Sequence, residues 1–229
     1  MADRQGVVDR ALNGAARAAH VAQRELLWLA LDRRYGFPRE TSLNIDLGEV
    51  DLDAPGRVWY EPSPWFVLPR ILPRDEVGPD DVFVDLGAGM GRVVFEAARR
   101  YRFRRVLGVE ISREFADTAR GNLERNVDRL RCRDFEIVTS DVLEYEVPDD
   151  VTIAYLANPF RGEIFAGAVR RLLESVDRRR RPLRIIYLNP LEHEQLMATG
   201  RIREVRHGMR VLRRWSRTEY LRMYEVQTA

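Results

Sequence analysis

Residues 82–92 read Val-Phe-Val-Asp-Leu-Gly-Ala-Gly-Met-Gly-Arg, an apolar run that ends in an acid and three glycines at alternate positions. The apolar half predicts a buried strand. Glycine at every second residue lets the backbone turn sharply and pass a ligand with no Cβ in the way. Val93, Ala97 and Tyr101 then predict a helix whose first N–H groups face the turn. Strand, glycine turn and helix in that order constrain the chain to an α/β layout with a nucleotide-type ligand at the turn.

The kind of nucleotide follows from the neighbours. A dinucleotide fingerprint places a third glycine at the sixth position, which from Gly87 is Arg92, and a long charged side chain does not suit that role. A phosphate-cradling P-loop needs a lysine, and the chain has none. Asp85 stands directly before the glycines, and Glu110 closes the next apolar run, Val106-Leu107-Gly108-Val109. A carboxylate at the end of a second strand can accept both hydroxyls of one ribose, while Asp85 would face a cationic or amine-bearing group. A ligand with one ribose, no phosphate and a positive centre fits, and S-adenosylmethionine is such a molecule.

Asp85 to Gly91, followed by Gly108-Val109-Glu110-Ile111-Ser112, resembles the first two motifs of class I S-adenosylmethionine-dependent methyltransferases. With Arg92-Val93-Val94 behind it, the first motif is similar to the branch that holds the nucleosomal-lysine methyltransferases and many uncharacterised bacterial relatives. The likeness runs from about Tyr60 to about Pro190. It implies a Rossmann-like, mostly parallel seven-stranded sheet with an antiparallel last strand. To this the sequence adds an N-terminal helical extension.

The periodicity agrees with that expectation. Val82–Val84, Val106–Val109, Phe135–Val138, Val151–Leu156 and Leu183–Leu188 are short buried-strand runs, separated by helical patterns such as Ala116, Ala119, Leu123, Val127 and Phe165, Ala168, Leu172, Val176. Alternation in Leu221–Val226 predicts a closing hairpin. Residues 1–58 form the expected extension: a helix from about Gly6 to Tyr35 with apolar positions at Leu12, Ala15, Ala19, Ala22, Leu26, Leu29 and Ala30, then a polar linker. Core packing, a lid and a dimer contact all remain open for it. Residues 59–229 form the expected catalytic domain.

Ligands of such sheets bind outside the carboxyl ends of the strands, so strand ends supply the candidates. The resemblance makes Gly87, Gly89, Gly91, Asp85, Glu110 and Ile111 cofactor residues, with Asp141 reaching the adenine amine and Val142 lying along the ring. Asp141 also suits a helix cap or turn. Ala157-Asn158-Pro159-Phe160 resembles the Asn/Asp-Pro-Pro-Tyr/Phe signature of amino-group methyltransferases, one proline short. That resemblance makes Asn158 the residue that orients an acceptor amine beside the cofactor, with Pro159 and Phe160 against the substrate. The plain alternative is an Asn-Pro turn, and Asn189-Pro190 is a second example. Tyr60 in Trp59–Trp65 would close over the methionine end of the cofactor, and Glu61 would lie near the acceptor.

Composition narrows the rest. All 38 basic residues are arginine, and 36 acidic ones leave a net charge of +2, so the Arg178–Arg181 run reads as a solvated loop before it reads as a nucleic-acid patch. Cys132 alone cannot form an internal disulfide, and His20, His193 and His207 lack metal-ligand spacing, so no metal is expected. No apolar run is long enough for a membrane span, and Asp3, Arg4, Asp9 and Arg10 break any apolar leader, so a cytoplasmic enzyme is expected. The expected acceptor is an amine on a small molecule or protein. A non-catalytic S-adenosylmethionine-binding scaffold and a nucleic-acid methyltransferase are the alternatives.

Overall fold

The computed structural model describes residues 26, 29–38, 62–207 and 221–227. Its seven strands are β1 (Val82–Leu86), β2 (Arg105–Glu110), β3 (Phe135–Thr139), β4 (Ile153–Leu156), β5 (Arg184–Leu188), β6 (Ile202–His207) and β7 (Leu221–Val226). They form one sheet in the order β3-β2-β1-β4-β5-β7-β6, in which β7 alone runs antiparallel to its neighbours. The chain winds outward from β1 through β2 to β3, then returns to start β4 on the other side of β1. The β1/β4 boundary is therefore the topological switch where such sheets hold ligands.

The helices α1 (Arg92–Arg100), α2 (Arg113–Glu124), α3 (Gly162–Arg178) and α4 (His193–Met197) cover the sheet. Side chains alternate between the two faces, as strand geometry requires. On β4, Ile153 and Tyr155 join the core beneath α1 and α2, while Ala154 and Leu156 join the core beneath α3 and α4. Each strand buried on both faces reads as a continuous apolar run, which explains the sequence pattern. β2 can lie close under α1 because a Cβ at Gly108 would meet Val94 Cγ2 at 2.9 Å and Ile137 Cδ1 at 2.8 Å.

Residues 29–35 are helical and pack on the α1/α2 layer. Tyr35 and Phe37 are buried against Trp65 and Phe95, with ring centroids 5.0 Å apart for Tyr35–Phe95 and 5.6 Å for Phe37–Trp65. The carbonyls that end this helix are capped from α2 and the turn after it. Asn126 Nδ2 donates to Tyr35 O at 2.7 Å, Arg129 Nη1 to Arg34 O at 2.9 Å and Arg125 Nη2 to Gly36 O at 3.2 Å. The expected inward face needs correction. Leu26, Leu29 and Ala30 are exposed, while Asp32 and Tyr35 turn inward, because Asp32 has buried partners that outweigh the small apolar stripe. The earlier part of the expected helix and the linker after Pro38 lie outside the described residues.

The arginine run serves the fold. Arg181 donates to the carbonyls of Ser175 and Val151 at 2.6 Å, and Arg178 pairs with Asp149 at 2.8 Å, closing the end of α3 over the segment before β4. Among the described residues no helix is long and apolar enough to cross a membrane.

Candidate functional site

The turn after β1 is left-handed at each glycine, with φ of 84° at Gly87, 53° at Gly89 and 80° at Gly91. The N–H groups of Gly87 and Ala88 both donate to Val109 O at 2.9 Å, which fastens the turn across β2. Two of the glycines make room for protein. A Cβ on Gly87 would stand 2.4 Å from Pro159 Cβ, and one on Gly91 would stand 2.8 Å from Ala119 Cβ. Gly91 thus performs the close helix packing for which Arg92 is unsuited. Gly89 is tied to Glu110, its N–H donating to Oε2 at 2.7 Å while Ser112 N–H donates to Oε1 at 2.9 Å. Each carboxylate oxygen keeps a second lone pair.

Asp85 is 2% exposed, and its Oδ1 has no hydrogen-bond partner among the described residues. Burial holds its carboxyl well above the usual carboxylate range, and the nearby Glu110 adds to the effect. Glu110 is also raised, because burial outweighs the N–H groups of Ser112, Gly89 and Ile111 that favour its charged form. Both acids are thus held toward their neutral forms by burial, and a cation beside them would favour ionisation.

Across the switch, Asn158 follows β4 with φ of 54°, a left-handed conformation that asparagine tolerates. It is 8% exposed, and its Oδ1 also lacks a partner among the described residues. Gly87 against Pro159 brings this second orphaned oxygen to the end of β1 where Asp85 lies. Asn189 adopts the same conformation, with φ of 52°. The buried orphan oxygen is what sets Asn158 apart from a turn residue.

On β4, Tyr155 pairs in register with Asp85 and shares its face. Its hydroxyl lies 3.0 Å from Ser63 Oγ. Burial, with Asp85 adding to it, keeps the phenol protonated well beyond its ordinary range. Ser63 belongs to a strap, residues 62–66, that crosses this end of the sheet. Arg92 Nη1 donates to Ser63 O at 3.0 Å, its Nη2 bonds both oxygens of Asp32 at 3.0 and 3.2 Å, and its guanidinium lies 5.3 Å from the Trp65 ring centroid. Trp65 Nε1 donates to the same Asp32 at 2.9 Å. Sequence reasoning missed this network of Asp32, Ser63, Trp65, Arg92 and Tyr155. The signal available was an acid three residues before Tyr35, at helical spacing with a large aromatic side chain.

The remaining candidates divide. Ile111 is 37% exposed beside Glu110, an apolar surface open to a flat ring. Val142 is buried in the α3 layer. Asp141 accepts Leu143 N–H at 2.8 Å, the turn role weighed for it. Phe160 is 6% exposed and packs on Phe165 with centroids 6.5 Å apart, so its ring turns into the core where a substrate contact was expected. Pro159 lies half-buried against Gly87. Tyr60 and Glu61 lie outside the described residues, as does Trp59. Cys132 is buried, and burial pushes its thiol up. Among the described residues no three His, Cys, Asp or Glu side chains gather as a metal would require.

The family model of histone methylation protein DOT1 matches residues 57–147. A protein-lysine N-methyltransferase of Saccharolobus islandicus is 39% identical over 101 residues, which cover 43% of this chain and 61% of that protein. Among solved structures, a precorrin-8w decarboxylase of Methanobacterium thermoautotrophicum aligns with a TM-score of 0.50 at 24% identity, over 74% of this chain and 93% of that one. An RNA methyltransferase of Salinibacter ruber, crystallised with S-adenosyl-L-homocysteine, aligns with a TM-score of 0.48 at 21% identity, over 73% and 95%. The chain has a Rossmann-like α/β fold, and the DOT1 match lies over the half that carries the glycine turn and Glu110.

Proposed function

We propose that this chain is an S-adenosylmethionine-dependent methyltransferase whose acceptor is an amine nitrogen on a protein or a small molecule. The observation that carries it is the pair of buried acceptor oxygens without partners among the described residues, Asp85 Oδ1 in β1 and Asn158 Oδ1 just after the adjacent strand β4. A buried unpaired oxygen costs about 1–3 kcal/mol unless a ligand donor reaches it. Two of them at a switch point fit a ligand that carries an ammonium and an acceptor that carries N–H groups.

Asp85, Glu110, Ile111, Gly89, Asp141 and Val142 would hold the cofactor, Asp85 at its cationic end, Glu110 at the ribose and Asp141 and Val142 at the adenine. When bound, it supplies an electrophilic methyl group. The protein's work is to orient the acceptor, keep water out and leave the nitrogen lone pair free. Asn158 Oδ1 does the first by accepting an acceptor N–H without removing it. An alkyl amine of pKa about 10.4 is mostly protonated at pH 7, and its deprotonation costs about 4.6 kcal/mol. The buried, low-dielectric surroundings of Asp85 and Asn158 favour the neutral amine. Glu61 and Tyr60 are assigned to the acceptor and to the methionine end. Residues 1–58 are assigned to an extension of the catalytic domain, and a cytoplasmic setting suits a lone unpaired thiol.

Phe160 turning into the core favours one second reading, a cofactor-binding protein without methyl transfer. Calorimetry with S-adenosylmethionine, followed by a radiolabelled methyl-transfer assay on a panel of protein and polyamine acceptors, separates the two. Binding with transfer to nitrogen supports the enzyme, binding without any transfer supports the second reading, and tight NAD binding with no S-adenosylmethionine binding defeats both.

A further inference from the structure

The arginine that disqualifies a dinucleotide turn occupies a place of its own. Arg92 is the first residue of α1, directly after Gly91, and it is 3% exposed. One end of its guanidinium holds the strap at Ser63 O, the other holds Asp32, and Trp65 Nε1 donates to the same Asp32 oxygen, Oδ1, that Arg92 Nη2 reaches. The strap in turn meets Tyr155 through Ser63 Oγ, and Tyr155 is the neighbour of Asp85 in the sheet. Phe66 stands in this strap with φ of 63°, a conformation an aromatic residue adopts only when its surroundings impose it. Arg100 helps to impose it, its guanidinium lying 4.6 Å from the Phe66 ring centroid.

A continuous set of bonded groups therefore runs from the N-terminal segment to the acid at the cofactor end of β1. The links at Asp32 are buried and those at Ser63 partly buried, so a shift of the strap disturbs Arg92, and Asp32 cannot leave without releasing Arg92 and Trp65 together. We propose that Asp32, acting through Arg92 and Trp65, is a positioning residue for the cofactor site: docking of residues 29–38 seats the 62–66 strap over Asp85 and so sets cofactor affinity. This rests on the cofactor reading of the glycine turn. Coupling between two sites is reciprocal, so a cofactor that needs the seated strap must also hold the N-terminal segment down by the same factor.

The test uses the full chain and S-adenosylhomocysteine as probe, with calorimetry for affinity and amide hydrogen exchange across residues 29–38. Trp65→Phe removes the N–H to Asp32 and keeps an aromatic ring against Tyr35, Phe37 and Phe95; Asp32→Asn removes the charge; Arg92→Lys keeps the charge but cannot span Ser63 O and Asp32 at once. The expected result is that ligand slows exchange in residues 29–38 of the wild type. Trp65→Phe and Asp32→Asn should weaken binding by about fivefold or more and lose that slowing, with Arg92→Lys in between. If Asp32→Asn does not fold, Trp65→Phe decides. Folded variants that bind within about twofold of wild type, or ligand that leaves exchange in 29–38 unchanged, overturn the proposal while the cofactor reading stands. A wild-type protein that binds no S-adenosylhomocysteine removes both.

Discussion

Gly87→Ala tests whether the turn is glycine-rich for the ligand or for the protein. The substitution places alanine at φ of 84°, a left-handed position that costs an L-residue about 1–2 kcal/mol. It also puts a Cβ 2.4 Å from Pro159 Cβ and 3.1 Å from its Cγ. Carbon atoms settle at about 3.5–4.0 Å, so the turn and the Asn158-Pro159 corner must part by about 1 Å, and overpacking of that order costs a further 1–3 kcal/mol or so. The expected loss is thus about 2–5 kcal/mol. Gly162→Ala is the control, since Gly162 has φ of 55° but nothing within 4 Å of a new Cβ, so it should lose only the backbone part, about 1–2 kcal/mol. Urea unfolding of both, compared at equal m-values, isolates the contact, and calorimetry should find S-adenosylhomocysteine binding weakened in Gly87→Ala alone. Equal losses in the two variants, or full affinity in Gly87→Ala, would refute the reasoning.

Asp85→Asn should stabilise the protein and weaken cofactor binding at once. The folded pKa is raised, so the stability Asp85 contributes is present below its unfolded pKa and is lost as pH rises through the folded one. The gain from Asp85→Asn should therefore grow with pH across that window; thermal melts showing a gain that shrinks would reverse the sign. Glu110→Gln should weaken S-adenosylhomocysteine binding at least about tenfold by calorimetry, as hydrogen bonds to a charged carboxylate contribute about 1.5–3 kcal/mol each; unchanged affinity would place the ribose elsewhere. Asn158→Gly keeps the left-handed turn and removes the amide, so turnover should fall by about a hundredfold with stability nearly intact. Full activity in Asn158→Gly would reduce Asn158 to a turn residue.

The sheet was legible because period and burial agree: β1, β2, β4 and β5 are buried on both faces and announce themselves as apolar runs. The glycine turn was legible as a turn, but its physical reason was not. Neither Pro159 behind Gly87 nor Ala119 behind Gly91 can be read from local spacing, because both approach from distant parts of the chain. The role that Arg92 does play was hidden for a related reason. Its charge looked like an obstacle at a packing position, whereas Asp32, sixty residues earlier, neutralises it in the interior. Asp32 itself was hidden by the alanine- and leucine-rich stripe of its helix. Phe160 could not be placed from its motif, since its burial against Phe165 depends on where α3 packs.

The polar groups left without partners at the carboxyl ends of β1 and β4, Asp85 Oδ1 and Asn158 Oδ1, have a thermodynamic consequence for ligand binding. Elsewhere buried charges are paired, as Arg92 is with Asp32, and removing one partner of such a pair costs about 3–5 kcal/mol. At the switch point the free protein instead bears the burial of Asp85 and Asn158 without return. A ligand that supplies a cation to one and N–H donors to the other relieves both, and ligand that binds only the folded state adds stability as RT ln(1 + [L]/Kd). Because a cation favours ionised Asp85, binding must also release a proton wherever Asp85 is protonated in the free protein. With Asp85 at the cofactor's cationic end, as proposed above, affinity for S-adenosylmethionine should rise with pH until Asp85 ionises unaided, and calorimetry across that range showing a flat or falling affinity would remove Asp85 from the site.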